Sequence, residues 1–151
     1  MPEQDARPRT VLGFDFGLRR IGLAVGDTLT RAAAPRATLP VSPQGPDWAA
    51  IARHVADACP DLLVVGTPYN ADGSPSELTS HARRFAAELG RRFALPVVSV
   101  DERWSSLEAS QALATARARG TRRRKVRKTD IDSTAAAVIL ERWLAGEGGE
   151  R

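Results

Sequence analysis

The run Leu62-Leu63-Val64-Val65-Gly66 leaves few architectures open to this chain. A short apolar run of this kind is typical of a strand that is buried on both faces. Such a strand lies inside a sheet and needs other elements packed above and below it. The run therefore predicts a sheet that is covered by helices.

Periodicity and turn residues predict the other elements. Three strands in a meander come first, with a tight turn at Gly17 between the first two. Later strands alternate with helices, which begin at the cap sequences Ser74-Pro75-Ser76-Glu77 and Ser105-Ser106-Leu107-Glu108. The other predicted strands are Thr10–Phe16, Ile21–Val25, Arg36–Pro40 and Val97–Val100, and the other predicted helices are Asp47–Ala58 and Asp130–Leu144, with the helix after Ser74 ending near Arg92. This order indicates a mixed α/β sheet.

Length and composition limit the class of protein. A chain of 151 residues fits one domain and can bury a core without disulfides. We expect one domain over residues 10–145, between a flexible leader (1–9) and a flexible tail (146–151). Cys59 is the single cysteine, so no intrachain disulfide can form. The N-terminal residues are polar and no apolar run reaches the roughly 18 residues of a membrane span, which predicts a cytoplasmic protein without a membrane partner.

The positive charge of the chain is concentrated in one segment. Eight basic residues and no acids lie between Arg117 and Lys128, and the rest of the chain holds 14 basic and 18 acidic residues. A mildly acidic body with one cationic segment indicates a polyanionic partner. The alternative is a solvated loop, and charge alone does not decide between them.

Acidic residues follow two of the predicted strands directly. Asp15 ends the first strand just before Gly17, and Asp101 and Glu102 follow Val97–Val100. Ligands of open α/β sheets bind outside the carboxyl ends of the strands. These acids are therefore candidate site residues, although acids at strand ends are also common bystanders. The pattern does not choose between Asp101 and Glu102.

The last predicted helix places an acid among apolar residues. At 100° per residue, Asp132 falls in the middle of the apolar arc, whereas Asp130 falls on the opposite side. A carboxylate on a core-facing stripe is costly unless something satisfies it. The alternative is a capping acid three residues after Thr129. Capping explains the position of Asp132 along the helix but not its place on the buried face, so we favour a functional role.

Converging carboxylates indicate a hard divalent cation. Two carboxylates about 4 Å apart repel by roughly 4 kcal/mol at an effective dielectric near 20, and a cation removes that cost. An all-oxygen site prefers Mg²⁺ or Mn²⁺. Zinc is disfavoured because His54 and His81, the only histidines, fall in predicted helices away from the acids. Carboxylates that hold two metal ions are the usual device for hydrolysis of phosphodiester bonds.

Four ordered motifs resemble those of a known family. They run from about Val11 to Leu144 and are similar to the YqgF family of RuvC-like nucleases, described as Holliday junction resolvases and as pre-16S rRNA nucleases. The motifs are Asp15-Phe16-Gly17 with Arg20-Ile21-Gly22-Leu23-Ala24 and Asp27; Val65-Gly66-Thr67-Pro68 with Asn70, Asp72 and Gly73; Asp101-Glu102-Arg103 with Ser105 and Ser106; and Ile131-Asp132-Ser133 with Ala135-Ala136 and Ile139-Leu140. The resemblance implies an RNase H-like α/β fold, in which a five-stranded mixed sheet carries helices on both faces.

The resemblance also implies a catalytic site. It assigns Asp15, Glu102 and Asp132 as the catalytic and metal-binding acids, with two ions of Mg²⁺ or Mn²⁺ as cofactors, and so chooses Glu102 over Asp101. Thr67 and Trp104 depart from the family's usual residues without touching these acids.

Basic residues are the candidates for contact with nucleic acid. Arg20 and Arg103 lie beside the motif acids and are suited to holding phosphates, although they also fit as surface arginines at strand edges. The cationic segment supplies the other candidates, which are Arg122, Arg123, Arg124, Lys125, Arg127 and Lys128.

The leading hypothesis is a metal-dependent endonuclease. Its implied partner is structured RNA, such as the 5′ region of precursor 16S rRNA, or branched DNA, and we favour rRNA maturation. A non-catalytic nucleic-acid-binding module of the same fold is the alternative. An actin-like ATPase would need two such lobes, and this chain supplies one. Junction resolution would require paired sites and hence a homodimer, for which the sequence holds no deciding feature.

Overall fold

The computed structural model describes residues 9–70, 72–101 and 128–146, and of residues 128–130 it describes the backbone only. Six strands form one sheet in the order β4-β3-β2-β1-β5-β6. The strands are β1 (Thr10–Phe16), β2 (Arg20–Asp27), β3 (Ala33–Ser42), β4 (Gly45–Pro46), β5 (Leu62–Thr67) and β6 (Val97–Asp101), and the helices are α1 (Trp48–Ala58), α2 (Glu77–Phe93) and α3 (Lys128–Leu144).

The sheet is mixed, as the order of elements predicted. The strands β1 to β4 pair antiparallel as a meander, whereas β5 pairs parallel with both β1 and β6. The three parallel strands therefore end at one side of the sheet, where β2 begins. We call this side the carboxyl end of the sheet.

Two separate cores lie on the two faces of the sheet. Leu12, Phe14, Leu63 and Val65 pack on one face against residues of α1 and α2, including Ile51. On the other face Val11, Ala24, Leu62 and Val64 pack against Ala136, Ile139 and Leu140 of α3. We call these the α1/α2 face and the α3 face. Every residue of β5 is buried, which confirms that Leu62–Gly66 forms a strand covered on both sides.

The first residues of two helices differ from the prediction. Helix α1 begins at Trp48, and Asp47, predicted inside it, is its cap, because its carboxylate accepts a hydrogen bond from the Ala50 amide. The cap of α2 is Ser76, which forms a reciprocal capping box with Thr79, and not Ser74. Ser74 belongs to the preceding turn, because its amide and hydroxyl both donate hydrogen bonds to Asp72.

Two further predictions need correction. The sheet has six strands instead of five, because the two residues Gly45–Pro46 pair with the end of β3. Two residues are too few to show an alternating pattern, so this strand left no signal in the sequence. Helix α3 begins at Lys128, so Thr129 lies inside it and is not its cap.

Some predictions concern residues outside the described part of the chain. They are the helix beginning at Ser105, residues 1–8 of the leader and residues 147–151 of the tail. No helix within residues 9–70, 72–101 and 128–146 is long and apolar enough to span a membrane.

Candidate active site

Asp15 lies at the carboxyl end of the sheet, one residue before the end of β1. It pairs with Gly22 of β2 on one side and with Gly66 of β5 on the other. Because side chains alternate along a strand, Asp15 shares the α3 face with Val11, while Phe14 and Phe16 belong to the opposite core. Asp15 is half-buried. Both of its strand partners are glycines, so neither places a side chain beside its carboxylate.

Gly22 allows α3 to come into contact with the sheet. A Cβ atom at this position would lie 2.1 Å from the carbonyl oxygen of Asp132, so no larger residue fits. Gly13 and Gly26 lie farther along the same contact, next to Leu140 and Leu144. The backbone of Asp132 therefore lies directly against the strand partner of Asp15. Glycines inside predicted strands are the signal in the sequence that could have indicated this close approach.

Asp132 has a hydrogen-bond partner that the sequence did not reveal. The Nε–H group of Arg20 donates to Oδ2 of Asp132, with 2.5 Å between the two atoms. The Asp132 side chain is 25% exposed and that of Arg20 is 33% exposed. The carboxylate on the apolar arc is thus satisfied by a cation. The capping explanation for Asp132 fails, since α3 begins before Thr129.

Asp101 lies on the other face of the sheet. In β6, Val98 and Val100 pack with the α3 core and Val97 packs with the α1/α2 core, so alternation places Asp101 on the α1/α2 face. There it lines a cavity of about 180 Å³ together with Thr67, Tyr69, Gly73 and Ser99. Asp101 is therefore separated by the sheet from Asp15 and Asp132.

The remaining predicted site residues fall outside the part of the chain that the structure describes. They are Glu102, Arg103, Arg122, Arg123, Arg124, Lys125 and Arg127, together with the side chain of Lys128. Within the described residues no group of three or more His, Cys, Asp or Glu side chains could hold a metal ion. Asp15 and Asp132 supply oxygen donors on one face, which suits a hard cation, and the third predicted donor is Glu102.

The histidines are remote from this site. His54 lies in α1, where its Nδ1 atom accepts a hydrogen bond from Arg36, and His81 lies in α2 beside Arg84. Both helices cover the α1/α2 face, so neither imidazole shares a face with Asp15. A nitrogen-rich zinc site is therefore not formed by the described residues.

Proteins of related sequence are known. A protein of Xanthomonas axonopodis pv. citri with the name "Putative pre-16S rRNA nuclease" is 50% identical over 147 residues, which cover 96% of this chain and 94% of the relative. A protein of the same name from Xanthomonas oryzae pv. oryzae is 48% identical over the same shares of the two chains.

Solved structures share the fold at low sequence identity. RuvC of T. thermophilus in complex with a Holliday junction substrate has a TM-score of 0.53 at 17% identity, covering 93% of this chain and 98% of that one. The Fowlpox virus resolvase in complex with Holliday junction DNA has a TM-score of 0.50 at 12% identity, covering 89% and 98%. The resemblance to a RuvC-type, RNase H-like fold is thereby confirmed.

A family model covers every residue that the structure describes. It matches residues 9–146 and describes RuvX, a Holliday junction resolvase. The matched range contains Asp15, Glu102 and Asp132, and all of α3. The chain therefore belongs to the RuvX family of Holliday junction resolvases, which is the YqgF family that its motifs resemble.

Proposed function

We propose that this protein is a metal-dependent endonuclease that hydrolyses phosphodiester bonds, with Asp15, Glu102 and Asp132 as its catalytic acids. The packing of α3 against β2 carries the proposal. It brings Asp132, from the last helix, against Gly22, the strand partner of Asp15 in the first strand. Two carboxylates distant in sequence thus share one face at the carboxyl end of the sheet, where α/β proteins bind their ligands.

The three acids would hold Mg²⁺ or Mn²⁺, and two such ions would activate the attacking water and stabilise the leaving oxygen. The residues of the chain have separate tasks. Asp15 presents its carboxylate from the rigid centre of the sheet, between β2 and β5. Asp132 is fixed by the contact of its backbone with Gly22 and by its hydrogen bond to Arg20. Asp101 is not proposed as a ligand, because it lies on the opposite face.

Basic residues would bind the substrate. We assign phosphate contacts to Arg20, Arg103 and the cationic segment, because arginine forms paired hydrogen bonds with phosphate oxygens. The last residue of the segment, Lys128, is the first residue of α3, and α3 carries Asp132. Contacts of this kind position a nucleic acid without reading its sequence.

For the substrate we favour the precursor of 16S rRNA, cut near its 5′ end in the cytoplasm. The support is the name of relatives that are about half identical over nearly the whole chain. Branched DNA is the second candidate, and the family description supports it. A four-way junction would require two active sites and therefore a homodimer.

The test is a cleavage assay on two substrates, a precursor-rRNA mimic and a mobile four-way DNA junction, each with Mg²⁺ or Mn²⁺. Asp15→Asn and Glu102→Gln should each lower the rate by about a hundredfold or more, as expected when a group that stabilises transition-state charge is removed. Asp101→Asn is the matched control beside Glu102 and should stay within a few-fold of wild type. Circular dichroism would establish that all variants are folded.

The outcomes separate the parts of the proposal. Near-wild-type cleavage by Asp15→Asn would refute the site. Loss of cleavage in Asp101→Asn with retention in Glu102→Gln would reassign the third acid. Cleavage of the junction alone, by a dimer, would replace rRNA processing with junction resolution.

A further inference from the structure

The contact between Arg20 and Asp132 joins a cation to a proposed metal ligand. Arg20 is the first residue of β2, and its backbone is fixed by pairing with Pro40 of β3. The turn before it is tight, because a Cβ atom at Gly17 would lie 2.7 Å from the carbonyl oxygen of Arg20. The guanidinium therefore extends from a paired strand residue next to a tight turn, and its Nε atom lies 2.5 Å from Oδ2 of Asp132.

A guanidinium in this place opposes a divalent cation. Both side chains are at least two-thirds buried, so the solvent screens the interaction between charges only in part. A cation bound by the Asp132 carboxylate would have Arg20 as a like-charged neighbour. Binding of the metal ion must then either displace the guanidinium or be weakened by its positive charge.

We propose that Arg20 is the resident counter-cation of Asp132. Without a metal ion Arg20 neutralises and orients the carboxylate. When Asp132 binds a divalent ion, its hydrogen bond to Arg20 is broken. The displaced guanidinium then becomes available to a substrate phosphate. Arg20 is thus a positioning residue that couples metal binding to phosphate binding. This inference rests on the proposed function, since it needs Asp132 to be a metal ligand.

The coupling has a defined sign. Metal frees Arg20 for phosphate, and phosphate keeps Arg20 away from the metal site, so each ligand should strengthen the binding of the other. Metal-free protein should bind nucleic acid without the help of Arg20.

The first test is titration of wild type and variants with Mn²⁺, with free Mn²⁺ followed by electron paramagnetic resonance. Arg20→Gln should bind Mn²⁺ at least about threefold more tightly than wild type, because the competing charge is gone. Arg19→Gln is the matched control, since the neighbouring Arg19 is exposed and its loss changes the net charge equally. It should leave the affinity unchanged. Equal or weaker binding by Arg20→Gln would overturn the proposal, as would equal tightening by Arg19→Gln.

Two further variants make the result independent of folding defects. Arg20→Lys keeps the positive charge, so its Mn²⁺ affinity should stay close to that of wild type; tightening equal to that of Arg20→Gln would contradict competition by charge. Asp132→Asn should no longer bind Mn²⁺ at the proposed site. If wild type and Asp132→Asn bind Mn²⁺ equally, the proposed metal site itself is wrong, which differs from a failure of Arg20 alone.

The second test measures the coupling without any cleavage readout. A fluorescent single-stranded RNA is titrated with protein, with and without saturating Ca²⁺ as a hard cation that takes oxygen ligands. Wild type and Arg19→Gln should gain affinity when Ca²⁺ is added. In Arg20→Gln the gain should be several-fold smaller. An equal gain in all three proteins would disprove the release of Arg20 to phosphate.

Discussion

Two buried threonines near the loop after β5 differ in whether their hydroxyl groups have partners. Thr79, the third residue of α2, accepts a hydrogen bond from the Ser76 amide at 2.8 Å and donates to the carbonyl group of Pro68. Thr67 ends β5 and is 2% exposed, and its hydroxyl oxygen has no partner among the described residues. A buried hydroxyl without a partner costs free energy, whereas a paired one stabilises the fold.

Replacement by valine should separate the two threonines. Thr79→Val leaves the Pro68 carbonyl and the Ser76 amide unpaired and should lower the free energy of unfolding by about 1–3 kcal/mol. Thr67→Val removes an unpaired hydroxyl at similar volume and should be neutral or stabilising. Urea denaturation measures both. A loss for Thr67→Val as large as that for Thr79→Val would show that the Thr67 hydroxyl has a partner in solution.

Some residues of the candidate site are marked by a local pattern in the sequence. The end of β1 indicated Asp15, and helical periodicity indicated Asp132 as the acid on the apolar arc. The sequence could not reveal that Arg20 satisfies Asp132, because these residues are 112 positions apart and meet only through the packing of α3 on β2. For the same reason Arg20 was predicted only as a phosphate ligand or as a surface arginine at a strand edge.

At the scale of elements, strands and helices were predictable from period and turn residues, and their ends were less so. Thr10–Phe16 agrees with β1 to the residue, whereas the predicted third strand, Arg36–Pro40, is shorter than β3. The residues of β3 are half-exposed or exposed and give only a weak alternating pattern. The ends of this strand therefore could not be predicted from the sequence. The cap of α2 was misplaced because two nearby serines fit a cap pattern. Ser74 is hydrogen-bonded to Asp72 in the preceding turn, and Ser76 is the cap.

The contact between β2 and α3 sets the distance between the proposed acids, and glycine substitutions test it. Gly22→Ala would force a Cβ atom against the backbone of Asp132, which cannot move as a flexible side chain can. We expect the free energy of unfolding to fall by about 3 kcal/mol or more, the upper range for overpacking. We also expect weaker Mn²⁺ binding, because Asp132 is pushed away from Asp15.

Gly13→Ala is the control on the same face. Its Cβ atom would lie 3.3 Å from the Leu140 side chain, a contact that a small shift relieves. The lower entropy of the unfolded alanine chain offsets part of that cost, so stability should stay within about 1 kcal/mol of wild type. Equal effects of the two substitutions on stability and Mn²⁺ binding would disprove a specific role for the contact at Gly22.

A histidine joins α1 to β3 and makes stability depend on pH. Burial lowers the pKa of His54 below the ordinary value of 6.5, and the positive charge of Arg36 lowers it further. The Nε–H group of Arg36 donates to Nδ1 of His54 at 2.8 Å, which requires that nitrogen to be unprotonated. Asp57 acts in the opposite direction and Arg53 in the same direction as Arg36.

The sign of the pH effect follows from this depressed pKa. The unfolded chain binds a proton at His54 more readily than the folded one, so stability from this group is complete above pH 6.5 and is lost as pH falls through the folded pKa. His54→Gln should reduce the loss of stability that occurs as the pH falls from about 7.5 to below the ordinary histidine pKa of 6.5. His81→Gln, the other histidine, is the control in urea denaturation at both pH values. An unchanged pH dependence in His54→Gln would show that other groups cause it.

At the scale of the whole molecule, the order of strands required the structure. The sequence predicted a meander followed by alternating strands and helices, but not that β1 would lie between β2 and β5. That placement depends on which strands are buried on both faces, and here it gives Asp15 a strand on each side. It also separates the α3 face from the α1/α2 face, which excludes Asp101 and both histidines from the candidate site.

The charges of the molecule are as unevenly distributed as its faces. Residues 117–128 hold eight basic side chains, and the rest of the chain is acidic on balance. If the cationic segment binds the phosphate backbone, its removal should weaken binding similarly for all sequences. The substitution is a triple change to alanine at Arg122, Arg123 and Arg124.

The dependence of affinity on salt distinguishes this role from general electrostatics. The slope of log K against log salt is negative. For every phosphate that the variant no longer binds, the magnitude of this slope should decrease by roughly 0.7 for a single strand and 0.9 for duplex DNA. The control removes three arginines from α1 and α2, namely Arg53, Arg84 and Arg91, and so changes the net charge equally. We expect the control to keep the wild-type slope and the slope of the triple variant to be smaller by about two units or more. At saturating substrate the triple variant should still cleave, because positioning residues contribute affinity and not chemistry. Equal slopes in all three proteins would move the nucleic-acid surface away from residues 117–128.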